Sequence, residues 1–141
     1  MMSAVLMASI AELCSLDHGN DPAAIATWTA NKTPDGVSAM LRNPQAELFV
    51  AEHDGAIAAV GCILGGREVG LNYVHPSHRF AGVSRALLAA METVMRARGT
   101  THAILESTAT AHRFYLAQGW VDGGPLHGGR VAQAYPMSKA L

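Results

Sequence analysis

The sequence predicts a mixed α/β domain in which three helices precede a largely antiparallel sheet. Three observations carry this. Apolar residues recur at helical spacing over roughly the first 44 positions, alternate in the strand period through the middle, and return to helical spacing from Val83. Two-residue turn signals, Asp54-Gly55 and Gly65-Gly66, separate the middle strands closely enough for hairpins. At 141 residues, half of them apolar and none in low-complexity runs or repeats, the chain suits one packed domain spanning 1–141.

Leu6, Ile10, Leu13 and Cys14 share one helical face, which predicts a first helix ending near Leu16. Asp21-Pro22 and Thr33-Pro34 each place a capping side chain before a proline, the start signal of a helix, so a second and a third helix follow. Leu48–His53, Ala56–Leu64 and Glu68–His75 read as three strands of a meander. Val83, Ala86, Leu87, Ala90, Met91 and Val94 form an apolar stripe that Gly99 closes. Ala103–Glu106 returns to the sheet, a short helix runs from about Ala111 to Gln118, and strands at Trp120-Val121 and Val131–Met137 complete the order ααα-βββ-α-β-α-ββ. The expected sheet has about six strands, with helices on both faces. Residues 1–44 form a helical region and 45–141 the sheet-bearing core.

A formal net charge of −1 argues against a nucleic-acid or anionic-membrane partner, since either calls for a basic surplus. Two cysteines, Cys14 and Cys62, make no disulfide framework, and Cys62 lies within an apolar strand pattern. The opening Met1–Ala11 is apolar but lacks a basic leader. These features predict a cytoplasmic protein. His75 and His78 have a His-x-x-His spacing, yet a proline intervenes and no acidic or thiol ligand is near in sequence, so no metal is expected.

The segment Arg79-Phe80-Ala81-Gly82-Val83-Ser84-Arg85 is the most telling. A small-residue turn entering a helix gathers unpaired N–H groups at the positive end of the helix dipole, which suits phosphate oxygens. It matches neither the dinucleotide Gly-x-Gly-x-x-Gly pattern nor the P-loop. It resembles the acyl-CoA turn of the GNAT (GCN5-related) N-acetyltransferases, Arg/Gln-x-x-Gly-x-Gly/Ala, departing at Ser84. Asn72-Tyr73-Val74-His75-Pro76 resembles the end of that family's fourth strand, and Arg113-Phe114-Tyr115 with Gly119-Trp120 resembles its fourth helix. The resemblance covers about residues 45–141.

The resemblance implies a GNAT fold and transfer of an acetyl group from acetyl-CoA to an amine. It implies acetyl-CoA binding by Tyr73, Val74, Arg79, Phe80, Ala81, Gly82, Val83, Ser84 and Arg85. In the family, the fourth strand is splayed by a bulge and its backbone pairs with the pantetheine arm; Tyr73 and Val74 match those positions. Tyr115 matches the general acid, and Glu68 matches the glutamate base of the histone-acetylating branch. Strand alternation would set Glu68, Gly70, Asn72 and Val74 on one face. Each has a plainer alternative: strand core for Tyr73-Val74, a core aromatic for Tyr115, a solvated glutamate for Glu68. His75 is a second candidate base. Asp17, His18, Asn20, Asp21 and Trp28, with His127 and Arg130, fall where relatives build acceptor sites. The chain enters helical periodicity almost at once, so the family's first strand is expected to be missing, very short or lost by truncation, and a homodimer would cover the sheet edge its absence leaves unpaired. A non-catalytic acyl-CoA-binding module of the same fold would keep the turn and tolerate loss of Glu68 and Tyr115. A toxin acting on aminoacyl-tRNA is disfavoured by the balanced charge.

Overall fold

The protein is described by a computed structural model covering residues 1–128 and 133–141. Its elements are α1 (Met2–Leu13), α2 (Ser15–His18), α3 (Pro22–Thr29), α4 (Pro34–Arg42), β1 (Ala46–His53), β2 (Ala56–Leu64), β3 (Glu68–Val74), α5 (Val83–Ala97), β4 (His102–Ser107), α6 (His112–Ala117), β5 (Val121–Asp122), β6 (His127–Gly128) and β7 (Gln133–Ala140). The expected order holds, with two refinements. The first predicted helix breaks at Cys14 into α1 and the single turn α2. The last connection carries an extra short strand, β6, paired to β7. The predicted start of the last strand at Val131 lies outside the described residues.

Both proline-led helices begin where their caps require. Asp21 accepts from the Ala23 amide at 3.2 Å, and Thr33 Oγ1 from the Gly36 amide at 3.1 Å. In the sheet, β1, β2 and β3 form the antiparallel meander, α5 crosses to β4 parallel to β3, and β7 lies between β4 and β5. The result is a mixed, largely antiparallel sheet with β1 at one edge.

Helices cover both faces. On one, Val5 and Leu6 of α1 and Val37 of α4 pack on Val60, beside Leu71 and Tyr73. On the other, Leu87, Leu88, Met91 and Met95 of α5 pack with Ile63, Val69, Ala103, Leu105, Tyr115 and Trp120. The stripe on α5 is rotated from the sequence expectation. Ala86 and Ala90 are exposed, while Leu88 and Met95 are buried. Alanine and leucine count alike in an apolar pattern, but burying the larger side chains removes more area from water and sets the rotation. Among the described residues, no helix is long and apolar enough to cross a membrane.

Candidate active site

The site arises because two neighbouring strands stop pairing. β3 and β4 meet at one parallel pair, Glu68 with Ile104, supported by the Ile104 amide donating to the Arg67 carbonyl at 3.0 Å. β3 stays paired to β2 as far as Val74, and β4 stays paired to β7 as far as Ser107. Between them opens a cavity of about 340 Å³. It is lined by residues of the 79–85 turn, by Phe114 and Tyr115, and by Ser9, Leu13 and Cys14 of α1 and its C-cap.

At the turn, Phe80 and Gly82 both take left-handed backbone angles, φ 65° and 76°. Gly82 is the N-cap of α5, offers no capping side chain, and has open space where a Cβ would stand. The first-turn amides of α5 are therefore approachable, as an anion seat requires. Arg79 and Arg85 are exposed beside it, and the Arg79 guanidinium stacks 4.6 Å from the centre of the 90 % exposed Phe80 ring. The turn residues the sequence singled out, Ala81 excepted, line the cavity, together with Tyr73 and Val74.

A bulge lies at Gly70, three residues before Tyr73, and it corrects the reading of Glu68. Cys62 pairs with Leu71 but Ile63 pairs with Val69, leaving Gly70 without a partner. The extra residue resets the side-chain alternation. Val69, Asn72 and Val74 then oppose Ile63, Gly61 and Ala59, whereas Glu68 opposes Leu64. Glu68 thus shares a face with Leu71 and Tyr73, not with Asn72 and Val74. It sits where the two strands are still joined, and it does not line the cavity. Among the described residues the carboxylate that does line it is Glu106, which strand alternation on β4 puts opposite in direction to buried Leu105 and Ser107. Its sequence signal was slight: one charge ending the apolar Ala103–Leu105 run.

Tyr115 is 6 % exposed, and its hydroxyl accepts a hydrogen bond from Asn72 Nδ2 at 3.3 Å. Burial pushes the phenol up to about 12, and the Asn72 bond opposes that rise. Cys14 is likewise raised to about 12, by burial first and then by Asp17, so it is a thiol and not a thiolate at neutral pH. Burial raises Tyr73 further; its phenol lies by Cys14 and takes a hydrogen bond from Trp28.

The residues expected on the acceptor side mostly serve the scaffold. Asp17 clamps the β4–α6 loop, accepting from the amides of Ala109 and Thr110 at 2.7 and 3.2 Å and from Thr110 Oγ1 at 2.6 Å. His18 is buried; Nδ1 accepts from the Asn20 amide, so Nε2 donates to the Ile10 carbonyl at 2.7 Å. Asn20 takes a turn conformation, Asp21 caps α3, and Trp28 packs against Ile10 and Cys14. His75 Nδ1 accepts from the Ser77 amide at 3.1 Å and fixes the turn at Pro76, while His78 lines the cavity. Arg130 lies outside the described residues, and the backbone of His127 begins β6.

A search of the curated proteins by sequence gives no match. Among solved structures, the chain is similar to a GCN5-related N-acetyltransferase from Rhodopseudomonas palustris, with TM-score 0.86, 22% identity, and coverage of 99% of this chain and 88% of that one. It is also similar to PaiA N-acetyltransferase from Thermoplasma acidophilum in complex with coenzyme A, with TM-score 0.78, 15% identity, and coverage of 99% and 92%. The ribosomal-protein-S18-alanine N-acetyltransferase from Escherichia coli matches with TM-score 0.58, 24% identity, and coverage of 74% of each chain. The family model described as acetyltransferase (GNAT) domain matches residues 14–141, nearly the whole chain. With a cleft between separated strands lined by the 79–85 turn, this match along its length makes the chain a member of the GNAT acetyltransferase family.

Proposed function

We propose that the protein transfers an acetyl group from acetyl-CoA to a primary amine of a small molecule or peptide, with both substrates bound together. The opening between β3 and β4 beyond the Glu68–Ile104 pair carries this reading. The backbone from Ala81 to Arg85, with Arg79 and Arg85 adding charge and Phe80, Val83 and Ser84 completing the turn, would hold the pyrophosphate. Tyr73 and Val74 pair with β2 on one side only, so their other side faces the cleft, where an extended amide-bearing arm can add as a strand. Acetyl-CoA supplies the activated acyl group when bound.

The amine nitrogen forms a bond to the acyl carbon as the carbon–sulfur bond breaks. The sulfur leaves with the electron pair and gains a proton, and the nitrogen loses one. Among the described residues, the thiol lining the cavity is Cys14, and its raised pKa disfavours an acyl-cysteine intermediate. Direct attack is therefore the simpler route. Glu106, a lining carboxylate, would take the proton, directly or through water, in place of the Glu68 that the family resemblance suggests. Tyr115 faces the leaving sulfur as a hydrogen-bond donor.

The absence of Glu68 from the cavity favours one second reading, a binding module that retains the acyl-CoA turn without the chemistry. Calorimetry with CoA and acetyl-CoA tests what both share; no binding at millimolar concentration removes both. Thiol release over amines, amino acids, polyamines, aminoglycosides and peptides then separates them. The transferase reading expects turnover with at least one acceptor, reduced in Glu106→Gln and little changed in Glu68→Gln.

A further inference from the structure

Asn72 occupies an unusual position. The Gly70 bulge turns it toward α6, where its Nδ2 donates to the Tyr115 hydroxyl at 3.3 Å. Among the described residues its other amide atom, Oδ1, is buried and has no hydrogen-bond partner, while Asn72 itself lines the cavity. A buried amide oxygen left unpaired forfeits its hydration without compensation, so such an atom calls for an explanation, and a ligand N–H supplies one.

The direction of the Tyr115 bond matters. A phenol has one proton and two acceptor lone pairs. Because the amide donates, it occupies a lone pair and leaves the phenolic proton free to point into the cleft. A carboxylate at position 72 would do the reverse and hold that proton itself. Asn72 thus meets an acceptor lone pair of Tyr115 with one amide atom, keeps the other unpaired, and itself lines the cleft. In a cysteamine unit the amide nitrogen and the sulfur are only two methylenes apart, close enough for one short side chain to serve both.

We infer that Asn72 is a positioning residue with two contacts: its Nδ2 fixes Tyr115 as a donor toward the thioester sulfur, and its Oδ1 receives the adjacent pantetheine amide N–H. The inference rests on the acetyl-CoA reading above and goes beyond it. Asn72→Leu keeps the size of the side chain and removes both contacts; Asn72→Asp keeps the shape and reverses the bond to Tyr115.

The test uses protein labelled with ¹³C at tyrosine Cζ, with Tyr115 assigned through Tyr115→Phe, and thermal melting to establish that each variant folds. In the wild type, CoA should shift the Tyr115 resonance. Asn72→Leu should move the resting resonance, abolish the CoA-induced shift, and weaken CoA binding by calorimetry about five-fold, as loss of one hydrogen bond implies. In turnover, Asn72→Leu should lower kcat about three- to ten-fold in the wild-type background but less than two-fold in Tyr115→Phe. Asn72→Asp should lower kcat at least as much as leucine.

An unmoved Tyr115 resonance, or equal kcat losses in both backgrounds, overturns the bond to Tyr115. Unchanged CoA affinity with a raised acceptor KM overturns the pantetheine contact. If the wild type binds CoA but acetylates no amine, the transferase reading fails while resonance and calorimetry still decide Asn72. Failure to bind CoA overturns both.

Discussion

Tyr115 shows how burial limits what a residue does. A phenol near 12 facing an ordinary thiol near 8.5 would give up its proton against a gap on the order of 5 kcal/mol. In the proposed reaction its role is therefore to donate a hydrogen bond to the departing sulfur, whose proton comes finally from solvent. Tyr115→Phe is expected to lower kcat about ten-fold without abolishing it, with the KM for acetyl-CoA changed less than three-fold, the loss of one hydrogen bond to a charged group being about 1.5–3 kcal/mol at most. Steady-state kinetics decide this, and an unchanged kcat removes the role. Because the phenol stays protonated, kcat should also show no loss attributable to Tyr115 below about pH 11.

At the scale of elements, α4 depends on a tight approach at its first turn. A Cβ on Gly36 would collide with the Asn31 carbonyl, a backbone atom that cannot swing aside. The same turn is held by Thr33 Oγ1 accepting from the Gly36 amide. Gly36→Ala should destabilise the fold by about 2 kcal/mol, more than the ~1 kcal/mol expected for Thr33→Ala, because it forces the chain apart where the cap loss only unties it. Urea denaturation of the two variants orders them; a neutral Gly36→Ala would show that α4 can shift freely. The Gly70 bulge belongs to this scale too. It adds one residue to β3 and thereby decides which side chains face α6 and which face α1.

Across the whole molecule, α5, β7 and the α6–β5 junction are joined by a buried network. Glu92 accepts from Lys139 Nζ at 2.7 Å and from Trp120 Nε1 at 3.1 Å, and Lys139 also donates to the Gln118 carbonyl at 2.8 Å. The Glu92 side chain is only 8% exposed. Lys139→Met strands that carboxylate and should cost about 3 kcal/mol, whereas Lys139→Met with Glu92→Leu should recover at least half of the loss. Additive losses in the double variant would contradict the pairing. A second global prediction concerns alkaline pH. Cys14 and Tyr115, with ordinary values of 9.0 and 10.0, are both raised to about 12, and Tyr73 is raised further. The folded state therefore holds protons that the unfolded state loses first. Their stabilisation is complete below about pH 9 and falls as pH rises toward 12. The urea midpoint should drop steeply across that window, and less steeply in Tyr115→Phe.

Much of this protein is written in local sequence. Capped prolines at 22 and 34, the Asp54-Gly55 turn and the change of hydrophobic period locate most elements, because each depends on neighbours a few residues apart. The 79–85 turn is equally legible, since its Gly82 and the helix start that follows are local features. The site's chemistry is not local. Glu68 does not share the face of Asn72 and Val74 that alternation predicted, because strict alternation cannot foresee a bulge, which exists only in the pairing of β3 with β2. Asn72 acquires its meaning from Tyr115, 43 residues away, and Glu106 from the separation of β3 and β4. The sequence alone determined the order of elements, the glycine-bearing turn that opens α5 and the family resemblance. Tertiary structure decided which carboxylate and which amide reach the cleft, because register and strand separation are set by long-range pairing rather than by any residue's own preference.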